Sequence, residues 1–413
     1  MPQETIVAAD LVIRVAASPI RDGAVLVRDG RIAGVGPLSD LVRVAPEVEV
    51  RRFSGHTIVP GAVNAHGHLG FRRKDKPAAA PFSVWLKELI SKLPEKESWT
   101  PEAARDSARE AVESGTTYMA ESSPYGECLP QLAASGMAGT VHAEFFPGDY
   151  PGTGPQERVE AIFRSVQEMR EGLPDRVEVG VSVHSPYTVD PESAGLAAAR
   201  SRKEGGRLAI HLSESPEEVE FVLKGKGGLV EIFGNNNWGG RGVSPVRYFE
   251  ELGVLGPNVI AAHLATAVSQ DDLDILRATN TAAAHCPRSN EYLDCEVSPV
   301  PEMLERGIRV GMGTDGLWSS PSMNLFEETL FAVRLHGMSG DLGLELATLG
   351  GAQALGIDGE TGSIEAGKYA DLAVVGVAPT GDDPGMAVVE AAAGGGVAAT
   401  MVSGEFVYNQ TSS

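Results

Sequence analysis

The 413-residue chain is 42% hydrophobic and 22% charged, close to the average for folded globular proteins and far from disordered or fibrous compositions. Its 56 acidic and 34 basic side chains leave a net charge of −22, which disfavours nucleic-acid phosphates and anionic lipid as partners and points to small molecules. Three cysteines, Cys128, Cys286 and Cys295, are too few and too scattered for a disulfide framework or a cysteine-rich zinc site, as a reducing cytoplasm would have it.

The opening "MPQETIVAADLVIRV" lacks a basic stretch followed by an apolar run and a cleavage site, so no signal peptide is expected. No apolar run reaches the ~20 residues that span a membrane, and a cytoplasmic protein without membrane or nucleic-acid partners is expected. Residues 5–60 hold short Val/Ile-rich runs, two of them joined by "RDG" as a hairpin. From about Pro60, apolar strand runs alternate with helical segments. The strand candidates are "AVNAH", "TTYMAE", "AGTVHAEFF", "VEVGVSVH", "GRLAIHL", "NVIAAHL", "NTAAAHC" and "IRVGMGTD". Helical stretches such as "PEAARDSAREAVES", "SPEEVEFVLKG" and "SQDDLDILRATN" lie between them, several with Ser or Pro where a cap or first turn wants one.

"PFSVWLKELISKL" sets Phe82, Trp85, Leu86, Leu89, Ile90 and Leu93 at helical spacing, read as core packing or a subunit contact ahead of a substrate wall. "GKGGLVEIFGNNNWGGRG" reads as a mobile loop over the site. The last 50 residues return to β, in "GSIEAGKYADLAVVG" and "VAATMVSGEFVYN" around a Gly-rich link. The predicted fold is therefore α/β. A TIM-like (β/α)8 barrel occupies residues 61–360, and residues 1–60 and 361–413 form a small β-sandwich domain beside it.

The histidines carry the chemistry. His66 and His68 in "VNAHGHLG" end the first strand, His184 the fourth, His211 the fifth, His263 the sixth and His285 the seventh, while Asp315 ends the eighth. In such a barrel the C-terminal strand ends build the active site. Strand residues two apart face the same side about 6–7 Å apart, so His66 and His68 can chelate one ion while Gly67 points away. His211 and Asp315 would complete a nitrogen/oxygen set for one divalent ion, zinc or alternatively iron, with a position left for water. A lone strand-end histidine is ordinarily a hydrogen-bonded core residue; an HxH, further strand-end histidines and an aspartate on one rim are not.

Glu214, in "HLSES", lies on the loop above His211, either as an acid beside the ion or as a cap for a helix that Glu217 and Glu218 already complement. The fourth strand ends in His184 and offers no lysine to bridge paired ions, which favours one metal. The HxE and PCxxC spacings of the other zinc deaminase architecture are missing.

Taken in order, "VNAHGHLG", "VHSPYTV", "HLSES", "AAHLA", "AHCPRSN" and "GTDGLWSSPSMNLFEE" resemble the metal-dependent amidohydrolase superfamily over nearly the entire chain. Within it they are similar to the branch of adenosine-type, aminodeoxyfutalosine and guanine deaminases and triazine chlorohydrolases. The resemblance implies metal ligation by His66, His68, His211 and Asp315, and proton handling by Glu214 and His263 with Asp315. It also implies a substrate pocket lined by His184 and His285. Two departures stand out: "HGH" where the family usually shows "HTH", and "AHLATA" where it shows "AHCVHL", which puts Ala265 and Thr266 at the sixth strand.

Substrate contacts are read more loosely. Arg288 follows a strand end, where its guanidinium fork would suit a substrate anion such as the benzoate of aminodeoxyfutalosine. Trp318 either stacks on a heterocycle or packs against the eighth helix. Arg72, Arg73, Lys74 and Lys76 form either a solvated loop or an anion contact. The implied activity is hydrolytic deamination of a purine, a 5'-modified adenosine of the aminodeoxyfutalosine type or a related amino-heterocycle, with Glu214 protonating the ring nitrogen. Hydrolysis of another C–N, C–Cl or C–S bond on the same scaffold is the alternative, and a metal-free binding barrel is the reading from a different class. A homodimer is expected by family analogy.

Overall fold

The computed structural model describes residues 4–74, 81–92, 99–146, 154–234 and 238–410. The chain begins with β1 (Glu4–Val12), β2 (Ile20–Arg28), β3 (Arg31–Pro37) and β4 (Val50–Pro60). The β2–β3 hairpin turns on Asp29 and Gly30 at φ 49° and 76°, the two positive φ values that a type I′ turn demands.

The barrel follows as β5 (Ala62–His68), β6 (Thr116–Pro124), β7 (Ala138–Glu144), β8 (Val177–Ser182), β9 (Leu208–Leu212), β10 (Val259–His263) and β11 (Ala282–His285). Its last strand comes in two pieces, β12 (Val310–Met312) and β13 (Asp315–Gly316). Adjacent barrel strands run parallel. β12 bonds to β11 while β13 bonds to β5, so the interrupted eighth strand closes the ring.

Alternation explains the near-continuous apolar strand runs. Val63, Ala65, Tyr118, Ala209, Ile260 and Ala284 fill the interior. Met119, Val141, Val179, Ile210, Ala261 and Ala283 belong to the large core cluster shared with the surrounding helices. Those helices start where the sequence places caps: Thr100, Asp190, Ser215, Ser244 and Ser269 each accept a backbone N–H from the residue three further on. Among the described residues, no helix is long and apolar enough to cross a membrane.

The chain closes with β14 (Leu372–Val375), β15 (Val397–Val402) and β16 (Glu405–Asn409). β14 pairs antiparallel with β4, so the two terminal β segments come together as one seven-stranded mixed sheet ordered β16-β15-β14-β4-β1-β2-β3. Two helices of this part were not expected: Leu38–Val44, whose Leu41 packs under Ile6, Ala8 and Leu26, and Pro384–Ala393, which buries Val388, Val389 and Ala392. The sheet is tied to the barrel by Arg176, one residue before β8. Its guanidinium grips Asp371 at 2.7 and 2.9 Å and stacks on Tyr369, and both charged side chains are buried.

Candidate active site

His66 and His68 come from β5, His211 from β9 and Asp315 from β13. Nδ1 of His68 lies 2.6 Å from the Ser122 carbonyl, and Nδ1 of His211 lies 3.1 Å from that of His184. A ring nitrogen facing a carbonyl carries the proton, so Nε2 of both rings is left as a lone pair. These two Nε2 atoms face each other at 3.2 Å, an arrangement that repels unless a cation joins them. Nε2 of His66 is buried without a hydrogen-bond partner. Asp315 Oδ1 lies 3.4 Å from His68 Nε2 and 3.8 Å from His66 Nε2. Four ligands held tetrahedrally at ~2.0–2.1 Å from an ion stand about 3.3–3.4 Å apart, so the residues fit a bound metal.

The electrostatics agree. Burial and the neighbouring imidazoles push His66 and His211 well below the usual histidine range, which favours the neutral form that metal ligation requires. Burial alone would raise Asp315, but His68, His263 and His66 hold it down at about 2. The hydroxyls of Ser289 and Ser319 donate to Asp315 Oδ2 at 2.6 and 2.5 Å, leaving Oδ1 to face the cluster.

Glu214 Oε1 stands 3.6 Å from His263 Nε2. Nδ1 of His263 donates to Asn290 Oδ1 at 2.9 Å, which again leaves Nε2 as the acceptor. The Glu214 turn is braced from behind. The Glu218 carboxyl accepts the backbone N–H groups of Ser213 and Glu214 at 2.8 and 2.9 Å, and Thr266, one of the two substituted positions of the sixth strand, donates to the Glu214 carbonyl at 2.8 Å. Burial and the charge of Asp315 push the Glu214 carboxyl well above its usual range.

Five non-glycine residues of this rim adopt left-handed backbone: His184 (φ 47°), Ser213 (51°), His263 (71°), Leu264 (44°) and Asp315 (57°). Such conformations cost roughly 1–3 kcal/mol each and persist where the surroundings over-determine them.

The cluster opens into a narrow cleft of about 70 Å³ walled by Phe71, Phe82, Trp85, Leu86, Leu89 and Trp318, with Glu144 and His184 on its rim. The helix Phe82–Lys92 packs Phe82, Leu86 and Leu89 into the large core cluster, as expected, and with Trp85 it also supplies a wall of the cleft; Leu93 lies outside the described residues. His184 is pinned through Nδ1 to Thr188 at 2.8 Å.

Two expected contacts are corrected. His285 is not among the residues around the cleft; its Nε2 lies 3.1 Å from Nε2 of His336 on the helix Leu325–His336. It sits two residues after Ala283, so strand alternation carries it to the helix layer. Arg288 is also absent from the cleft. Glu327 at 2.6 Å satisfies its charge and the Ser322 hydroxyl accepts a further hydrogen bond at 3.1 Å, which removes the anion argument built on it. Arg73 pairs with Glu110, and Lys74 pairs with Glu88 over the Trp318 ring; Lys76 lies outside the described residues.

Sequence reasoning missed Glu144, Asn290, Ser289 and Ser319. Glu144 had a signal, since it ends the third strand just as the selected histidines end theirs. Ser319 had one as well, since it lies four residues after Asp315 in the same motif, whereas Ser289 and Asn290 act through partners 26 and 27 residues away and had none.

Residues 57–407 match the Amidohydrolase family, and residues 23–47 match a bacterial imidazolonepropionase-like composite domain. The chain is 32% identical to the 5-methylthioadenosine/S-adenosylhomocysteine deaminase of Syntrophobacter fumaroxidans, over 86% of this chain and 80% of that one. Its fold is similar to Helicobacter pylori aminofutalosine deaminase in complex with methylthio-coformycin (TM-score 0.86, 23% identity, 98% of this chain and 100% of that one). It is similar in the same way to an adenosine deaminase from Xanthomonas campestris with bound zinc (TM-score 0.82, 23% identity, 98% and 93%).

Proposed function

The chain belongs to the amidohydrolase family, and from that premise we propose that it is a single-metal hydrolase that deaminates 5'-modified adenosines. His66, His68, His211 and Asp315 would hold the ion, taken as zinc by likeness to the zinc-bound adenosine deaminase. When bound, such an ion lowers the pKa of its water toward ~7 and so supplies the nucleophile.

The protein's own groups do the rest. The apolar wall of Phe71 and Trp318 excludes water and receives the heterocycle. Nε2 of His263, its proton fixed on Nδ1 by Asn290, accepts a hydrogen bond and aims the attacking water at the carbon that carries the amino group. Asp315, held as a carboxylate beside the imidazoles of the cluster, takes the water's proton. As the C–O bond forms, the C=N electron pair moves to the ring nitrogen, where protonated Glu214 delivers a proton. The proton taken up by Asp315 passes to the amino group, which leaves as ammonia, and the proton of the new C–OH returns to the Glu214 carboxylate as the C=O bond forms. Water and an amidine unit have become an oxo-heterocycle and ammonia.

The observation that carries this reading is the placement of Glu214, a buried carboxyl beside the ion cluster and 3.6 Å from His263 whose burial favours its protonated form, since protonating a ring nitrogen needs an acid there. The test is ammonia release from adenosine, 5'-deoxyadenosine and 5-methylthioadenosine, with metal analysis and a Glu214→Gln variant. One ion per chain, retained in the variant, and a loss of about 10²–10⁴ in kcat are expected. Chloride or amide turnover with no ammonia from any amino-heterocycle would refute the deaminase, and metal-free protein would refute the hydrolase.

A further inference from the structure

The geometry points to Glu144 as a specificity-determining residue that accepts a hydrogen bond from the substrate's departing amino group, so that the cleft favours amines over leaving groups without an N–H. This rests on the deaminase reading above and says how that site tells an amine from a halide or thioether on the same carbon.

Glu144 ends β7, on the opposite side of the ion cluster from Glu214 and Asp315 in strand order. It is 3% exposed, and its Oε1 is buried with no hydrogen-bond partner. A buried acceptor without a donor is unfavourable, and the Glu218 and Glu328 carboxyls by contrast both have donors. Glu144 lines the cleft, so the missing donor can arrive with a ligand. No lysine or arginine is among the described residues around the cleft, so a salt bridge within the protein does not meet this need.

Position selects which ligand group it meets. A carboxylate oxygen of Glu144 and the ligand nitrogens of His68 and His211 all lie within 4.8 Å of one another. The attacked carbon must come within about 3–3.5 Å of the water that the ion supplies, and its amino substituent is one bond further. Among the donors of an adenosine, that amino group is therefore the one brought beside Glu144, while the sugar and its 5' substituent extend outward along Phe82, Trp85 and Leu89. Chlorine or a methylthio group at the same carbon offers no proton and would face the unpaired oxygen. Because Glu144 shares His68 and His211 with the set already described, the same three groups could instead make it a metal ligand, and the experiment must separate the two roles.

Binding is measured by calorimetry with 5-methylthioadenosine and its 6-chloropurine counterpart. The protein is the metal-loaded full chain carrying Glu214→Gln to block chemistry, alone and combined with Glu144→Ala or Glu144→Gln. Metal content is measured on the same preparations. The expected result is a Kd for the amine about tenfold weaker with Glu144→Ala, a change under about twofold for the chloro compound, an intermediate amine Kd with Glu144→Gln and unchanged metal content. Equal changes for both ligands, or no change for the amine, overturn the role of Glu144 and leave the deaminase standing if the wild-type protein releases ammonia. Loss of metal in both Glu144 variants makes it a ligand and also overturns the proposal. Absence of ammonia from every nucleoside with wild-type protein overturns the deaminase reading and this inference with it.

Discussion

Truncating Asn290 to alanine separates the orientation of His263 from the metal centre. The Asn290 side chain is 3% exposed and accepts the Nδ1 proton of His263, itself 1% exposed, at 2.9 Å. Without it, either the buried N–H is left unpaired, at about 1–3 kcal/mol, or the proton shifts to Nε2 and turns the acceptor that faces the site into a donor. At 1.36 kcal/mol per tenfold in rate, the first case alone lowers kcat by about 5- to 150-fold. Asn290→Asp keeps an oxygen in place and should stay within about tenfold of wild type. Steady-state ammonia release, with metal analysis on the same preparations, is the assay. KM and metal content should barely move, because the change is in aiming the nucleophile rather than in binding. A kcat for Asn290→Ala within twofold of wild type, or a loss that tracks loss of metal, would refute the role given to the Asn290–His263 pair.

Two further outcomes concern stability. Arg176→Met leaves Asp371 buried without its guanidinium, and breaking a buried pair in this way should cost about 3–5 kcal/mol in urea unfolding; a change under about 1 kcal/mol would mean that the terminal sheet is held mainly by apolar contact. Burial raises the Glu328 carboxyl from 4.5 to about 8. Between those values the folded chain keeps a proton that the unfolded chain has released, so stability falls as pH rises, by up to ~1.4 kcal/mol per unit. Glu328→Gln should flatten that slope in urea midpoints taken between pH 5 and 8, and an unchanged slope would count against it.

The barrel was legible because each strand is a short apolar run and each helix announces itself through a cap, as at Thr100 and Ser215. The ion cluster was legible because strand ends converge on one rim, which placed His66, His68, His211 and Asp315 before any distance was known. Where the reading failed, the deciding fact was not local. His285 looks like the other strand-end histidines, yet alternation from Ala283 turns it to His336, 51 residues away in sequence. Arg288 looks like an anion contact until Glu327, 39 residues on, takes its charge. The helix Pro384–Ala393 was hidden by the glycines that follow it, which end the helix instead of extending a loop.

Gly67 shows how a departure at the centre of the motif can leave its chemistry alone. The register of β5 against β6 shifts between Asn64 and Gly67, and the slip reverses which residues face inward. His66 and His68 then meet the ion cluster while position 67 faces the layer behind it. A Cβ on Gly67 would stand 2.4 Å from Met119 Cε and 3.2 Å from Thr314 Oγ1. The Met119 side chain thus occupies the volume that a threonine at 67 would need, and a flexible methionine is well suited to fill such a gap. Glycine in front and methionine behind fill this space together, with the imidazole nitrogens of His66 and His68 facing Asp315. The change from "HTH" to "HGH" is therefore a repacking behind His66 and His68, and it leaves Glu214, His263 and Glu144 lining the cleft.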